Sequence, residues 1–258
     1  MTGHSMVRSS EGWRRLPGVD IICMRIVTSL FLCCVLLTVA GDGSAEQRVE
    51  LGNWASAEDG RLPQHWRLLT FPSISAATRY ELVYDPFYGR VIEAQSSAGA
   101  GGIGRSLSID PQKYPILNWS WKIANTIIGS SLSLKSGDDF PVRLMISFES
   151  ESTKRGGLKD KILCYVWAAT EPIGSVAANP SHSHIQTFVA ISGNERRGDW
   201  LEMSRNLVED YRTAFSEEPG KITGLVLMTD SDDTGSEAHA WYGPIWLGSE
   251  VEAAPDSE

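Results

Sequence analysis

Cysteine is scarce, and what there is sits in the wrong place for cross-links. Of four in the 258-residue chain, Cys23, Cys33 and Cys34 fall before residue 45, in a stretch that reads as a removable leader. Cys164 is left alone, which excludes an intrachain disulfide and a cysteine metal site. Its neighbours Leu163, Tyr165 and Val166 mark it as a small buried hydrophobe. Basic excess is missing too: a formal net charge of −9 argues against a nucleic-acid or anionic-membrane surface. The apolar run over residues 26–40 is short of the ~20 residues a membrane span needs. There are no repeats, heptads or low-complexity blocks. Catalytic signatures are also absent: no GxSxG, no HExxH, no phosphate loop, no exposed Cys–His pair.

What remains is first an address. Arg25, the apolar run over 26–40 and the small residues Gly43-Ser-Ala45 have the order of a cleavable signal peptide. Cleavage after Ala45 makes the mature protein periplasmic or secreted, with no membrane span; the alternative is an uncleaved anchor. The start is either Met1 or Met24. The expected organisation is a leader over 1–45, one domain over 46–249 and a frayed acidic tail over 250–258.

The domain itself reads as all-β. Roughly ten short alternating runs separated by Gly, Pro, Ser, Asn or Asp predict a jelly-roll sandwich rather than βαβ units. In Ile116-Leu-Asn-Trp-Ser-Trp-Lys-Ile123, Leu117, Trp119, Trp121 and Ile123 share one face and Asn118, Ser120 and Lys122 the other, the period of a half-buried strand. Core packing is the expected role of the two tryptophans, with sugar stacking the alternative. Val142, Leu144, Ile146 and Phe148 repeat the pattern. Residues 162–168 are apolar on both faces, as in a central strand. The Gly- and Ala-rich stretch 96–104 is expected to be a loop. One short helix is predicted near 206–216, with Asn206 as cap and Leu207, Tyr211 and Phe215 on one face.

Several stretches come in a characteristic order. They are Asn118-Trp-Ser-Trp-Lys122, Gly137-Asp-Asp-Phe-Pro-Val-Arg143, Tyr165-Val-Trp167, Asn179-Pro180, Trp200, Arg205-Asn206, Glu209-Asp-Tyr211, Met228-Thr-Asp-Ser-Asp-Asp-Thr-Gly235 and Tyr242-Gly243. The chain thereby resembles the DUF3047 family, exported bacterial proteins of unknown function. The resemblance implies one sandwich domain similar to the galactose-binding-like jelly rolls and no established activity. Ser231-Asp232-Asp233 and Gly243-Pro244 depart from the family's pattern.

The chemistry concentrates in two acidic loops. Asp138 and Asp139 precede one strand, and Asp230, Asp232 and Asp233 follow another. If those strands are antiparallel, the loops converge. With Thr234 they offer the oxygen ligands Ca²⁺ prefers, and Asp139, Asp230 and Asp232 are the candidate metal set. The position twelve along from Asp230 is Trp241, so this is not an EF-hand. Two other readings stay open: turn chemistry, with side chains bonding their own backbone, and a general acid–base pair acting on glycan. Arg143 is the candidate counter-charge. His239 and Tyr242 complete the candidate binding residues, whereas His182 and His184 read as surface histidines. The expectation is a non-catalytic carbohydrate- or ligand-binding module of the cell envelope, with no nucleic-acid partner and no cofactor unless calcium. The alternatives are an envelope-glycan hydrolase or lyase, and a structural envelope protein without a small ligand.

Overall fold

Period-two alternation becomes two stacked sheets in the computed structural model, which describes residues 48–55, 57, 62–150 and 160–249. The expected leader and acidic tail, and residues 151–159, lie outside the described residues. The strands are β1 (Val49–Gly52), β2 (Arg67–Leu69), β3 (Arg79–Asp85), β4 (Gly89–Ser97), β5 (Ala100–Ile109), β6 (Ile116–Ile123) and β7 (Arg143–Phe148). They continue with β8 (Lys161–Ala168), β9 (Val176–Ala178), β10 (Ile185–Ser192), β11 (Leu201–Asn206), β12 (Ile222–Asp230) and β13 (Glu237–Gly248). The first sheet runs β11-β6-β13-β4-β3, with β1 paired to the far half of β13. The second runs β2-β5-β12-β7-β8-β10-β9. The fold is a β-sandwich with one short α-helix.

One core lies between the sheets. Leu117, Trp119, Trp121 and Ile123 of the first sheet and Leu144, Ile146 and Phe148 of the second are all fully buried in it, with Val142 beside them. Trp119 packs edge-on against Trp121, with ring centroids 5.2 Å apart. A smaller cluster of Leu132, Phe140, Cys164, Val166, Ile185 and Val189 seals the far side of the second sheet. Strand β8 sits between them, which is why it is apolar on both faces. Burial pushes the Cys164 thiol up to about 12 despite the opposing pull of Arg143, so it is an inert hydrophobe.

The helix α1 (Leu207–Phe215) forms where its cap predicts: the Asn206 side chain accepts from the N–H groups of Val208 and Glu209. It stops at Ser216, in a left-handed conformation, before Pro219-Gly220 is reached.

Two expectations need correction. Residues 96–104 are not a loop: β4 and β5 run through them and break only around Ala98-Gly99. Glycine there permits close packing, not a turn, because a Cβ on Gly102 would lie 3.0 Å from the Leu227 carbonyl oxygen. Strand β6 is buried on both faces, not one: Asn118 and Ser120 are 4% and 2% exposed. The chain at Gly243 lies so close that a Cβ would meet Ser120 Oγ at 2.2 Å. Strand β10 pairs parallel to β8. Among the described residues no helix is long and apolar enough to cross a membrane.

Candidate functional site

Antiparallel pairing of β7 with β12 brings the start of one and the end of the other together, and the acidic loops converge as the order of residues predicts. Arg143 is the hub. Its Nε and Nη2 donate to the two carboxylate oxygens of Asp230 at 2.9 and 2.7 Å. Nη1 donates to Asp138 Oδ1 at 3.0 Å, and Nη2 also reaches the Asp138 carbonyl. Asp230 further accepts the Phe140 N–H at 3.0 Å, and the guanidinium stands 4.7 Å from the Phe140 ring centre. Asn179 closes the far side, donating to Asp138 Oδ2 at 2.6 Å. The Asn179-Pro180 motif carried that signal, but nothing in its spacing linked it to residues 41 positions away.

Asp139 is fully buried and accepts N–H groups of Asp233 and Thr234 at 3.3 and 2.6 Å. Asp139, Asp230 and Asp232 each place a carboxylate oxygen within 4.8 Å of the others. Electrostatics follow from depth. Burial drives Asp230 up to about 6, although Arg143 and the Phe140 N–H pull it down. Burial and then the Asp139 charge raise Asp232 as well. Burial would lower Arg143, but the charges of Asp230 and Asp138 outweigh it and hold the guanidinium firmly protonated. Arg143 and Asp230 are 4% and 3% exposed. The knot is a closed, committed ion pair with a more open acidic rim at Asp232 and Asp233.

Two predicted binding residues lie elsewhere. Tyr242 is fully buried between the sheets, donating to the Met228 carbonyl at 2.6 Å, and offers a ligand no surface. His239 stands on the outer face of the first sheet. His182 and His184, 5.7 Å apart, form a turn leading into β10.

The outer face around His239 is the second candidate; the sequence singled out His239 but none of the residues gathered around it. Side chains from β3, β4, β13 and β6 alternate outward and meet because their strands are neighbours. Arg79 Nη2 donates to Gln95 Oε1 at 3.1 Å, Gln95 Nε2 lies 3.4 Å from His239 Nε2, and that nitrogen is 2.8 Å from Glu93 Oε1. The imidazole packs on Trp241, centroid to centroid 4.1 Å. Asn125 Oδ1 accepts the His239 N–H and its amide donates to the Glu237 carbonyl. Arg79, Gln95, Asn125 and His239 line an open hollow of about 580 Å³ together with Ala76, Ala77, Ser96, Ser97 and Glu237.

Beside the hollow, Lys122 projects between two tryptophans, 4.8 Å from the Trp200 ring centre and 4.6 Å from that of Trp241. Asp85, at the end of β3, accepts from Lys122 Nζ at 3.0 Å and Trp200 Nε1 at 2.9 Å. Its other oxygen caps the hairpin turn by accepting the Phe87 and Tyr88 N–H groups. Burial alone would raise Asp85, yet the bonds from Trp200, Lys122 and the turn bring it down to about 2. Tyr88 packs against Trp200 at 4.8 Å and donates to Glu202. A second hollow of about 550 Å³ lies beside β2 near His65 and Arg67, but no comparable chain of polar side chains lines it among the described residues.

Structural comparison finds sandwiches of similar extent. The family 11 carbohydrate-binding module of the cellulosomal cellulase Lic26A-Cel5E of Clostridium thermocellum is 12% identical, covering 81% of this chain and 98% of its own, with a TM-score of 0.40. The family 30 module of Cel9D-Cel44B from the same organism is 12% identical over 80% and 99%, with a TM-score of 0.45. The CBM22-1 xylan-binding domain of Paenibacillus barcinonensis Xyn10C is 11% identical over 73% and 88%, with a TM-score of 0.35. No curated protein matches the sequence. The family profile described as protein of unknown function, DUF3047, matches residues 64–246. The expected motifs Asp138, Arg143, Asn179 and Asp230 form the knot within that span, and the chain belongs to the DUF3047 family.

Proposed function

We propose that this is an exported, non-catalytic binding module of the cell envelope whose ligand is a carbohydrate, held on the outer face of the first sheet. The observation that carries the reading is the hollow beside His239. Planar groups of Arg79, Gln95, Asn125 and His239 converge there beside the small side chains of Ala76 and Ala77. Sugars present hydroxyls that both donate and accept beside apolar C–H faces, and such mixed, convergent linings suit them. The expected test result is retention of the protein on a glycan array, lost in Gln95→Ala and His239→Ala variants that melt like the parent. Retention on no glycan sinks the reading and leaves the structural envelope role.

A structural calcium ion at Asp139, Asp230 and Asp232 is the second reading. It rests on the 4.8 Å convergence of their oxygens and on Asp139, which is sealed from water yet bonded only to backbone N–H groups among the described residues. Calcium takes oxygen ligands of this kind. The hydrolase alternative draws less support, because Asp138 and Asp230 are already engaged by Arg143. Loss of polysaccharide cleavage in Asp230→Asn would revive it.

A further inference from the structure

On the footing of that carbohydrate reading, we propose that the site takes an extended chain of sugar units running over the first sheet from the hollow toward the β3–β4 turn, with Phe87 as its far contact. The hollow occupies one side of the first sheet, where β3, β4 and β13 carry Arg79, Gln95 and His239. Phe87 stands at the opposite end of β3 and β4, in the turn that joins them and reaches over to Trp200. Arg79 pairs with Gln95 at one end of the β3–β4 hairpin and Asp85 with Gly89 at the other, six residues along β3, about 20 Å at the usual rise per residue. One sugar ring cannot touch both.

The far end is built to be touched. Phe87 is 73% exposed, although a phenyl ring ordinarily buries its large apolar surface. Its backbone N–H is held by Asp85. Its neighbour Tyr88, packed edge-on against it at 4.7 Å, is itself fixed by Trp200 and Glu202. The ring is therefore presented on a rigid turn, so stacking a ligand on it forfeits little conformational freedom. The tryptophans in between do not serve the same purpose, because Lys122 already occupies the gap between them. They form the bed over which the chain passes. The hollow grips one end, and Phe87 adds contact only to a ligand long enough to reach it.

An array of glucose, xylose, mannose, galactose and N-acetylglucosamine oligomers, each from one to about six units, tests this. The wild type should be retained on the longer oligomers of one sugar about tenfold more tightly than on its mono- and disaccharides. Phe87→Ala, with an unchanged melting temperature, should lose that gain and keep its grip on short chains. His239→Ala should weaken all lengths alike. Equal affinity for one unit and six, or a Phe87→Ala profile identical to wild type at every length, overturns the extended site while leaving carbohydrate binding in place. Retention on nothing removes both.

Discussion

Two carboxylates in this sandwich make similar bonds and respond in opposite ways. Asp230 on the second sheet and Asp85 on the first each bind a cationic side chain and accept backbone N–H groups, and each is nearly sealed, at 3% and 7% exposure. Yet Asp230 rises to about 6 and Asp85 falls to about 2. Their surroundings differ in depth. The partner of Asp230 is a guanidinium whose side chain is 5% exposed, while the lysine beside Asp85 is 18% exposed and lies at the sheet surface. Behind Asp230 stand further acids and the cluster around Phe140 and Cys164. An ion pair carried that deep loses more hydration than its partner returns, whereas near the surface the same bonds simply favour the charge. The knot therefore lies within the fold, whereas Asp85 and Lys122 lie at the open face.

The comparison breaks most readily at its cations. Arg143→Ala strands Asp138 and Asp230 in the interior and should cost about 3–5 kcal/mol in urea unfolding. Lys122→Ala leaves Asp85 its bonds from Trp200 and the turn, and should cost about 1 kcal/mol. Equal losses would mean that depth is not the deciding variable.

Titration sharpens it next, with opposite signs. The folded value of Asp85 lies below its ordinary 3.8, so its contribution of about 2 kcal/mol is complete above pH 4 and drains away toward pH 2. The folded value of Asp230 lies above 3.8, so its contribution is complete below pH 4 and is lost as the pH rises through 6. Melting curves of chelator-treated protein should therefore steepen with acid in a way that Asp85→Asn removes. Between pH 4 and 6 they should slope the other way, and Asp230→Asn should remove that slope. A wild type whose stability is flat over both windows contradicts the contrast.

The smallest expected effect concerns the acidic rim. If calcium sits at Asp139, Asp230 and Asp232, chelation should lower the melting temperature by a few degrees, and added Ca²⁺ should restore it. This corresponds to about 1 kcal/mol of ligand linkage. Asp232→Asn should abolish the response, while the Lys122 face should be indifferent. No response in the wild type would assign the whole knot to Arg143.

The strands and the knot were legible in the sequence because their signals are local. Alternation in residues 117–123 and 142–148 placed eight side chains in one core. The sandwich preference for antiparallel neighbours was enough to bring Asp138 and Asp139 to Asp230, with Arg143 between them. Asn206 announced its helix by cap chemistry two residues ahead of the first bonded N–H. Gly101, Gly102 and Gly104 misled, since a glycine that lets Leu227 approach looks the same in sequence as one that turns the chain.

The open face was not legible, and the reason is combinatorial. His239 stood out only singly, and Arg79, Gln95, Lys122 and Trp241 appear as ordinary outward positions on four different strands. Only the strand order β6-β13-β4-β3 makes them one surface, and only the hairpin at Asp85 carries Phe87 and Tyr88 over to Trp200. Likewise Tyr242 and Trp241 are adjacent in sequence and alike in chemistry, and the pleat alone sends one into the core and the other to the surface. Periodicity determines which residues share a face of a strand. Which faces become neighbours depends on long-range pairing, an outcome of the whole packed chain that no short stretch encodes.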